Sequence, residues 1–153
     1  MAPKFGSITV LQQPTTPVDA TDSRYHGLKP SSTVLLKGHQ RTPECRAFDT
    51  SAVFDRDIQI QLRDGIKIRA DVFRPEGDAK VPALLAWSPY GKTGYGFFNL
   101  DLIPGRVGVP KSMLLGYEKF EALDPAEWVG KGYGIVNIDA RGVFDSEGDI
   151  RYV

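Results

Sequence analysis

The sequence DIQIQLRDGIKIRADVFR occupies residues 57–74, and its apolar residues alternate with polar ones along most of its length. The alternation stops at Asp64-Gly65 and resumes at Ile66. A period of two residues predicts a strand with one buried face, and an Asp-Gly dipeptide tolerates the positive φ angles of a tight hairpin turn. We therefore predict a β-hairpin whose first strand begins at Asp57.

Two nearly continuous apolar runs follow this hairpin, at residues 81–87 and 133–139. Runs of this kind predict strands that are covered on both faces. Between them, Asp124 is a suitable N-cap, Pro125 suits the first helical position, and Gly132 suits a helix end, so a helix is predicted from Pro125 to about residue 131. Strand, helix and strand in this order predict a right-handed parallel unit, and the fold class is α/β.

Residues 1–50 differ in character from the rest of the chain. Five prolines lie among Thr, Ser and Gln, and neither a period of 2 nor a period of 3.6 is sustained. Such a stretch is typical of a loop or an arm. We interpret it as an N-terminal arm with a candidate short strand at residues 33–36 and candidate core anchors at Tyr25, Leu28 and Phe48.

The composition excludes several classes of function. Nineteen basic residues balance nineteen acidic ones without a basic cluster, so nucleic acid is not an expected partner. No apolar run approaches the roughly 20 residues that cross a bilayer, and the N-terminus lacks a signal-peptide pattern. Cys45 is the only cysteine, and we expect a cytoplasmic protein without a disulfide. No spacing of His, Cys and carboxylates predicts a metal or cofactor site.

A phosphate-binding loop is one alternative for the segment after the first apolar run. Residues 86–93 read Ala-Trp-Ser-Pro-Tyr-Gly-Lys-Thr and end as such a loop does. However, Trp87 and Pro89 are too bulky and too rigid for successive N–H groups to wrap a phosphate. Gly94 and Gly96 also disfavour the helix that must follow. Nucleotide binding is therefore kept as a lesser alternative.

The segment after the second apolar run, residues 139–148, is a charged turn at the end of a predicted parallel strand. Open α/β sheets place functional sites at this position. The alternative is a structural turn in which Arg141 pairs with Asp139, Asp145 or Glu147. We favour the structural turn for most of these residues.

Several blocks between about residues 57 and 150 are weak singly but specific as an ordered set. They are Leu62-Arg63-Asp64-Gly65, Ala70-Asp71-Val72-Phe73-Arg74-Pro75, residues 82–88 with Pro89-Tyr90-Gly91-Lys92, Glu127-Trp128, Lys131-Gly132-Tyr133, Asp139-Ala140-Arg141-Gly142 and Ser146-Glu147-Gly148. On these blocks the chain resembles the CocE/NonD family of α/β serine hydrolases, which are related to X-Pro dipeptidyl peptidases. The segments Tyr25-His26-Gly27 and Arg46-Ala47-Phe48 are similar to the longer N-terminal extension of fungal members.

The resemblance implies an incomplete α/β-hydrolase fold, with the β-hairpin and the first parallel βαβ unit in residues 51–153 and an arm in residues 1–50. In this family a serine in Gly-x-Ser-Tyr-x-Gly attacks the carbonyl, with a His base and an Asp that orients it. A backbone N–H and the tyrosine of a Pro-Tyr-x-Lys block hold the oxyanion. That tyrosine corresponds to Tyr90, our predicted catalytic residue; the alternative is that Tyr90 only packs on the strand end.

The other catalytic residues of the family are not found in this sequence. The serines of the core lack the Gly-x-Ser-x-Gly context, and both histidines lie in the arm, where the family base would not lie. The residues in question are Ser88, Ser112, Ser146, His26 and His39. We expect the serine elbow a few tens of residues beyond Val153. Cys45 lacks a paired histidine and is not predicted to be reactive.

We therefore predict an N-terminal fragment of a CocE/NonD-type hydrolase that cleaves an ester or amide bond of a small molecule and is inactive alone. The alternative is a non-catalytic binding subunit. In that case the strand at residues 133–139 would present an unpaired edge for self-association or for a protein partner. Neither hypothesis involves nucleic acid, a membrane, a metal or a cofactor.

Overall fold

The computed structural model describes residues 4–9, 27–92, 103–119 and 122–150. These residues form two β-sheets, two short 3-10 segments and an α-helix. The strands are β1 (Lys4–Phe5), β2 (Ile8–Thr9), β3 (Ser31–Leu35), β4 (Ala52–Gln61), β5 (Lys67–Arg74), β6 (Ala83–Ser88) and β7 (Gly134–Asp139). The 3-10 segments are Pro104–Gly108 and Lys111–Met113, and the helix α1 is Pro125–Val129.

A mixed five-stranded sheet in the order β3-β4-β5-β7-β6 forms the centre of the fold. Neighbouring strands from β3 to β7 pair antiparallel, whereas β6 pairs parallel with β7. β1 and β2 form a separate antiparallel pair. The parallel β6–β7 pair, with α1 between the two strands in the sequence, confirms the predicted α/β class. No helix in the described part of the chain is long and apolar enough to span a membrane.

The predicted hairpin is present, but its first strand is longer than predicted. β4 begins at Ala52 rather than at Asp57, and Gly65, with a φ of 86°, occupies the turn before β5. The register of β4 with β5 shifts between Asp55 and Ile58, and Asp57 has a φ of 56°. A bulge moves the side-chain alternation out of phase, and for this reason the period-two pattern did not reveal where the strand begins.

β6 is an edge strand, and the prediction that it is covered on both faces is wrong. Among the described residues β6 pairs only with β7, and Leu85 and Trp87 are 59% and 48% exposed. β7 lies between β5 and β6 and is buried along most of its length, as predicted. The unpaired edge that we predicted for β7 therefore belongs to β6.

The helix begins where predicted and ends earlier. Asp124 caps it, since its Oδ1 accepts from the Ala126 N–H at 3.0 Å, and Pro125 is the first helical residue. The last helical residue is Val129, because Gly130 is the C-cap and the Gly132 N–H donates to the Val129 carbonyl at 3.0 Å. The helix is thus about two residues shorter than predicted.

The main core lies between α1 and one face of the sheet. Phe54 and Phe73 stack with ring centroids 4.3 Å apart, and Tyr117 meets both rings edge-on. Ile135 of β7 is fully buried in the same cluster. A second, smaller cluster around Ile68 contains Ala70 and Ile138.

Part of the predicted arm joins the sheet. β3 confirms the candidate strand at residues 33–36, although it begins two residues earlier and ends one residue earlier, and it pairs with β4. Phe48 is buried in the core as predicted, whereas the anchor predicted at Leu28 is wrong because that side chain is 40% exposed. Tyr25 lies outside the described residues. The domain boundary at residue 50 stays a prediction.

Ile135→Ala is expected to lower the free energy of unfolding by about 2–5 kcal/mol, because a fully buried side chain leaves a cavity when it is truncated. Leu85→Ala is the control, and its expected loss is within about 0.5 kcal/mol, since this side chain faces water. Urea titration followed by circular dichroism measures both. Equal losses would mean that the outer side of β6 is covered in solution.

Candidate active site

The loops that follow β6 and β7 meet at one end of the parallel pair. Ser88, the last residue of β6, is in register with Asp139, the last residue of β7. Residues 89–92 follow Ser88, and residues 140–148 follow Asp139. Ligand sites of open α/β sheets lie beyond the carboxyl ends of parallel strands. These two loops therefore define the candidate active site.

The loop of residues 89–92 is fastened near both ends by buried side chains. The Tyr90 N–H donates to Ser88 Oγ at 3.1 Å, and the Lys92 N–H donates to Asp139 Oδ1. Ser88 and Asp139 are 5% and 2% exposed, so these acceptors are shielded from competing water. The backbone is therefore tied to the ends of both parallel strands.

Gly91 is required at the centre of this loop. Its φ is 92°, a conformation that residues with a Cβ rarely adopt. A Cβ at this position would also lie 2.5 Å from the Phe144 ring. Both the backbone angle and the close approach of Phe144 exclude a side chain here.

Tyr90 lies in this loop at the carboxyl end of β6, and its side chain is 37% exposed. The family resemblance implies that Tyr90 is the oxyanion donor, a role that stays a prediction. In the structure, Tyr90 is partly exposed, and hydrogen bonds at Tyr90 and Lys92 hold the backbone of its loop. Such an arrangement is compatible with a preorganised hydrogen-bond donor.

Lys92 lies among three carboxylates that come from three strands. Its Nζ contacts Asp57 Oδ1 of β4 and lies 3.4 Å from Asp71 Oδ1 of β5 and 3.9 Å from Asp139 Oδ2 of β7. All four residues are at most 7% exposed. An ammonium group in such a buried position is tolerable only with carboxylate partners. We refer to Lys92, Asp57, Asp71 and Asp139 as the Lys92 cluster.

Asp57 shows why β4 carries a bulge. Its backbone N–H donates to Asp71 Oδ1 at 2.9 Å, and its Oδ2 accepts from the Lys29 N–H at 2.6 Å. Arg56 Nε lies 3.3 Å from the same oxygen. Asp tolerates a positive φ better than most residues, so the bulge can place both its amide and its carboxylate in the Lys92 cluster. The sequence analysis treated Asp57 as an ordinary polar position.

The three carboxyl groups of the cluster differ in acidity. Burial raises the pKa of Asp139 to about 6, against the attraction of Lys92, and burial also raises the pKa of Asp71. Burial acts on Asp57 as well, but the hydrogen bonds from Lys92 and from the Lys29 N–H outweigh it and lower the pKa of Asp57. Asp57 is therefore the lasting ionised partner of Lys92, and Asp139 changes protonation near neutral pH.

A second buried lysine, Lys119, lies beside the cluster. It is 3% exposed, and its Nζ donates to the Ile138 carbonyl at 3.0 Å. Burial lowers the pKa of Lys119 to about 8, an effect that the charges of Asp139 and Asp71 oppose. Lys119 therefore partly compensates the negative charge of the carboxylates.

The turn after β7 is held by contacts with distant residues, and the predicted partners of Arg141 are wrong. Those partners were Asp139, Asp145 and Glu147. Arg141 Nη1 instead lies 2.6 Å from Asp64 Oδ2 in the hairpin turn. Glu147 Oε2 accepts from the Lys67 N–H at 2.9 Å, so the turn is joined to β5 as well. Local charge pairing could not predict these contacts because both partners lie far away in the sequence.

An open cleft of about 810 Å³ lies between the two loops and the hairpin turn. Trp87 and Pro89 border it from the β6 side, and Ala140 borders it from the β7 side. Ile66 adds a further apolar wall, and the Arg141–Asp64 ion pair adds a polar one. The cleft thus adjoins the loop that carries Tyr90.

The described residues do not bring a serine and a histidine together. Ser146 Oγ accepts from the Arg69 N–H at 2.9 Å and donates to the Asp139 carbonyl at 2.8 Å, and it is buried. His39 Nε2 lies 2.8 Å from Tyr117 Oη in the aromatic cluster. The remaining candidates do not alter this result: Ser88 is buried, Ser112 is exposed on a 3-10 segment, and His26 lies outside the described residues.

Within the described ranges, Cys45 contacts a threonine, and no group of metal-binding side chains is present. Cys45 is half-buried, with its Sγ 3.2 Å from Thr42 Oγ1. Within the residues that the structure describes, no three His, Cys, Asp or Glu side chains form a group that could hold a metal ion.

The position of Lys92 contradicts the nucleotide-binding alternative. A phosphate-binding lysine must direct its ammonium group at the ligand. The Lys92 ammonium is buried against Asp57 and close to two further carboxylates, whose charge would repel a phosphate. Lys92 is therefore part of a structural ion cluster.

Asp139→Asn is expected to change how stability depends on pH. The folded pKa of Asp139 is about 6, against an ordinary value of 3.8, so its protonated form favours folding. This contribution is fully present below about pH 4 and is lost as the pH rises through 6. Relative to the variant, the wild-type free energy of unfolding should fall by up to about 3 kcal/mol between pH 4 and pH 7.

Urea titrations at a series of pH values measure this difference. Asn keeps the oxygen that accepts from the Lys92 N–H, so the loop contact is preserved. Asp145→Asn, at an exposed position of the same turn, is the control and should leave the profile close to that of the wild type. A wild-type-to-Asp139→Asn difference that stays constant with pH would contradict the prediction.

Comparison with known proteins identifies the family. The profile of the X-Pro dipeptidyl-peptidase (S15) family matches residues 64–153. The cocaine esterase of Rhodococcus sp. (strain MB1 Bresler) is 29% identical over 93 residues, which are 61% of this chain and 13% of the esterase. A protein of Aspergillus ustus named L-tyrosine:2-oxoglutarate aminotransferase is 43% identical over 56 residues, which are 37% of this chain and 11% of that protein.

The fold is similar to crystal structures of a CocE/NonD family hydrolase from Staphylococcus aureus. One aligns with a TM-score of 0.61 and 23% identity and covers 80% of this chain and 20% of that chain. A second aligns with a TM-score of 0.57 and 21% identity and covers 88% of this chain and 22% of that chain. This chain therefore spans less than a quarter of each relative. Because the S15 profile covers more than half of its residues, the chain belongs to the X-Pro dipeptidyl-peptidase (S15) family.

Proposed function

We propose that this chain is the N-terminal part of a serine hydrolase that cleaves an ester or amide bond, and that Tyr90 donates a hydrogen bond to the oxyanion. The observation that carries the proposal is an accessible tyrosine on a fastened loop at the carboxyl end of β6. The nucleophile and its acid and base would come from residues outside this sequence. The chain alone is then expected to be inactive.

The chemistry requires a donor that is fixed before the reaction. When a serine Oγ adds to a carbonyl carbon, the hydroxyl proton passes to the base and the π electrons move to the carbonyl oxygen, which becomes an oxyanion. A phenol O–H and a backbone N–H can stabilise that charge if they are already in place, since no reorganisation is then needed. The hydrogen bonds of the Tyr90 N–H to Ser88 and of the Lys92 N–H to Asp139 hold the backbone of Tyr90 in this way.

The cleft beside the loop supports a small-molecule substrate. Its walls at Trp87, Pro89 and Ile66 are mainly apolar, and the Arg141–Asp64 pair is internally neutralised, which leaves the acidic Asp149. An uncharged acyl or leaving group fits such walls better than a free anion does. The cytoplasmic location and the division into an arm at residues 1–50 and a hydrolase part at residues 51–153 belong to the same proposal.

Tyr90→Phe in the complete polypeptide is expected to lower kcat by about 10²–10³-fold, because an oxyanion donor contributes about 3 kcal/mol to the transition state. KM should change little, since the bond forms mainly in the transition state. Hydrolysis of p-nitrophenyl esters and anilides measures both constants. Tyr133→Phe is the control, since Tyr133 packs on Trp128 away from the site. An unaltered kcat in Tyr90→Phe would refute the oxyanion role.

The fragment hypothesis has its own test, which is the sequence of the native transcript past the codon for Val153. An in-frame continuation that encodes Gly-x-Ser-x-Gly supports the proposal. An immediate stop codon in an abundant transcript contradicts it and excludes catalysis by a serine triad in the product.

A second candidate function is favoured by the exposed edge of β6. Leu85 and Trp87 are large apolar residues on a strand that, among the described residues, has one neighbour. Unpaired strand edges of this kind are templates for another strand. A non-catalytic subunit would use this edge to bind a second copy or another protein.

Leu85→Lys tests this second candidate. A charged side chain on an edge strand disfavours strand addition, so association measured by size exclusion over a range of concentrations should disappear. Val34→Lys, at a 49% exposed apolar position on the opposite edge strand β3, should leave the association unchanged. A wild-type chain that is monomeric at all concentrations would count against self-association.

A further inference from the structure

We propose that Lys92 is a positioning residue, which holds Tyr90 in place through the carboxylates of Asp57, Asp71 and Asp139. The inference rests on the oxyanion role proposed for Tyr90. Lys92 is 7% exposed and its ammonium contacts protein carboxylates, so it acts on the backbone of the loop and not on a substrate.

Both the backbone and the side chain of Lys92 are held by carboxylates. Its backbone N–H donates to Asp139 Oδ1, and its side chain reaches Asp57 and lies 3.4 Å from Asp71. The carboxylates belong to three adjacent strands of the sheet, β4, β5 and β7. The Cα of Lys92 is thereby fixed relative to three central strands of the sheet.

The contacts that hold Lys92 also limit the movement of Tyr90, which lies in the same loop. Only Gly91 lies between the two residues, and it passes so close to the Phe144 ring that a Cβ at this position would clash. On the other side, the Tyr90 N–H is held by Ser88 Oγ at 3.1 Å. If Lys92 were released, Gly91 would give the loop wide φ/ψ freedom. Displacements of about 1 Å at a catalytic group can cost about 10²-fold in rate.

The use of charged residues in the cluster also indicates a positioning role. A buried ion cluster seldom stabilises a fold more than well-packed apolar residues of similar volume would. It does impose a specific geometry, because the ammonium must face several carboxylates at once. The cluster lies directly beside the loop that carries Tyr90. A role in positioning that loop explains this location better than a gain in the stability of the fold does.

The test uses a variant that keeps the net charge of the cluster, because loss of Lys92 alone would add one unit of uncompensated negative charge to this buried site and destabilise the fold. Lys92→Gln/Asp57→Asn removes one charge of each sign, and Asn tolerates the positive φ at position 57. The matched control is Lys131→Gln/Glu127→Gln, which neutralises an exposed ion pair on and just after α1.

In the complete polypeptide, the Lys92→Gln/Asp57→Asn variant should lower kcat by about tenfold or more, with KM changed by less than about threefold. In the Tyr90→Phe background the same pair of substitutions should lower kcat by less than about twofold, because the group that it positions is already lost. The matched control should change neither constant in either background. Equal losses of kcat in both backgrounds would overturn the inference and assign the cluster a general structural role.

Hydrogen exchange of residues 89–92, measured by mass spectrometry on the 153-residue chain, separates this inference from the oxyanion proposal. The Lys92→Gln/Asp57→Asn variant should accelerate exchange in this loop while β5 and β7 keep their protection. If Tyr90→Phe alone has no effect on kcat, the oxyanion role fails and exchange decides the positioning role. Unchanged exchange in the loop overturns the positioning role whatever the kinetics show.

Discussion

The contact between the Lys92 ammonium and the Asp57 carboxylate organises one end of the sheet. Asp71 and Asp139 lie within 4 Å of the same ammonium, so one positive charge serves three strands. Each charged group of this cluster would be costly to bury alone, and the ammonium offsets part of that cost for the carboxylates. The bulge in β4 and the conformation of the loop after β6 both follow from the need to bring these groups together.

The position of the cluster follows from the alternation of side chains along the central strands. Asp71 and Phe73 share one face of β5, and Ile135, Asn137 and Asp139 share one face of β7, because residues two apart point the same way. That face carries the aromatic core at one end and becomes polar, then charged, toward the carboxyl end of β7. A single face of one sheet therefore provides both the hydrophobic anchor of the fold and the polar platform of the candidate site.

Features that depend on neighbouring residues could be predicted from the sequence, whereas features that depend on distant partners could not. The turn at Asp64-Gly65 and the cap at Asp124 are local in their physics, and both are present. The order of β6 and β7 in the sheet is not local, because two apolar runs of similar length give no sign of which one lies at the edge. Composition alone therefore suggested that both were covered.

Lys92 illustrates the same limit at the candidate site. Its neighbours in the sequence, Gly91 and Thr93, suggested a phosphate ligand, while the acceptor of its N–H, Asp139, lies 47 residues away. A partial signal was nevertheless present, since Asp71 lies directly between the apolar residues Ala70 and Val72 of β5. A carboxylate that is buried there needs a buried cation, and Lys92 follows the next strand along the chain. The resemblance of the Pro-Tyr-Gly-Lys block identified the loop, but only the fold explains why a lysine belongs in it.

The edge of β6 that no described strand pairs with lies next to the Tyr90 loop. A strand added parallel to β6 would lie roughly 4.8 Å from it, and its carboxyl end would come beside Ser88, next to the loop that carries Tyr90. Such a strand would cover the exposed edge at Leu85 and would bring further groups to the site in the same step. Under the proposed function, one added strand would therefore serve both the sheet and the site, whereas the binding subunit would use the edge of β6 alone.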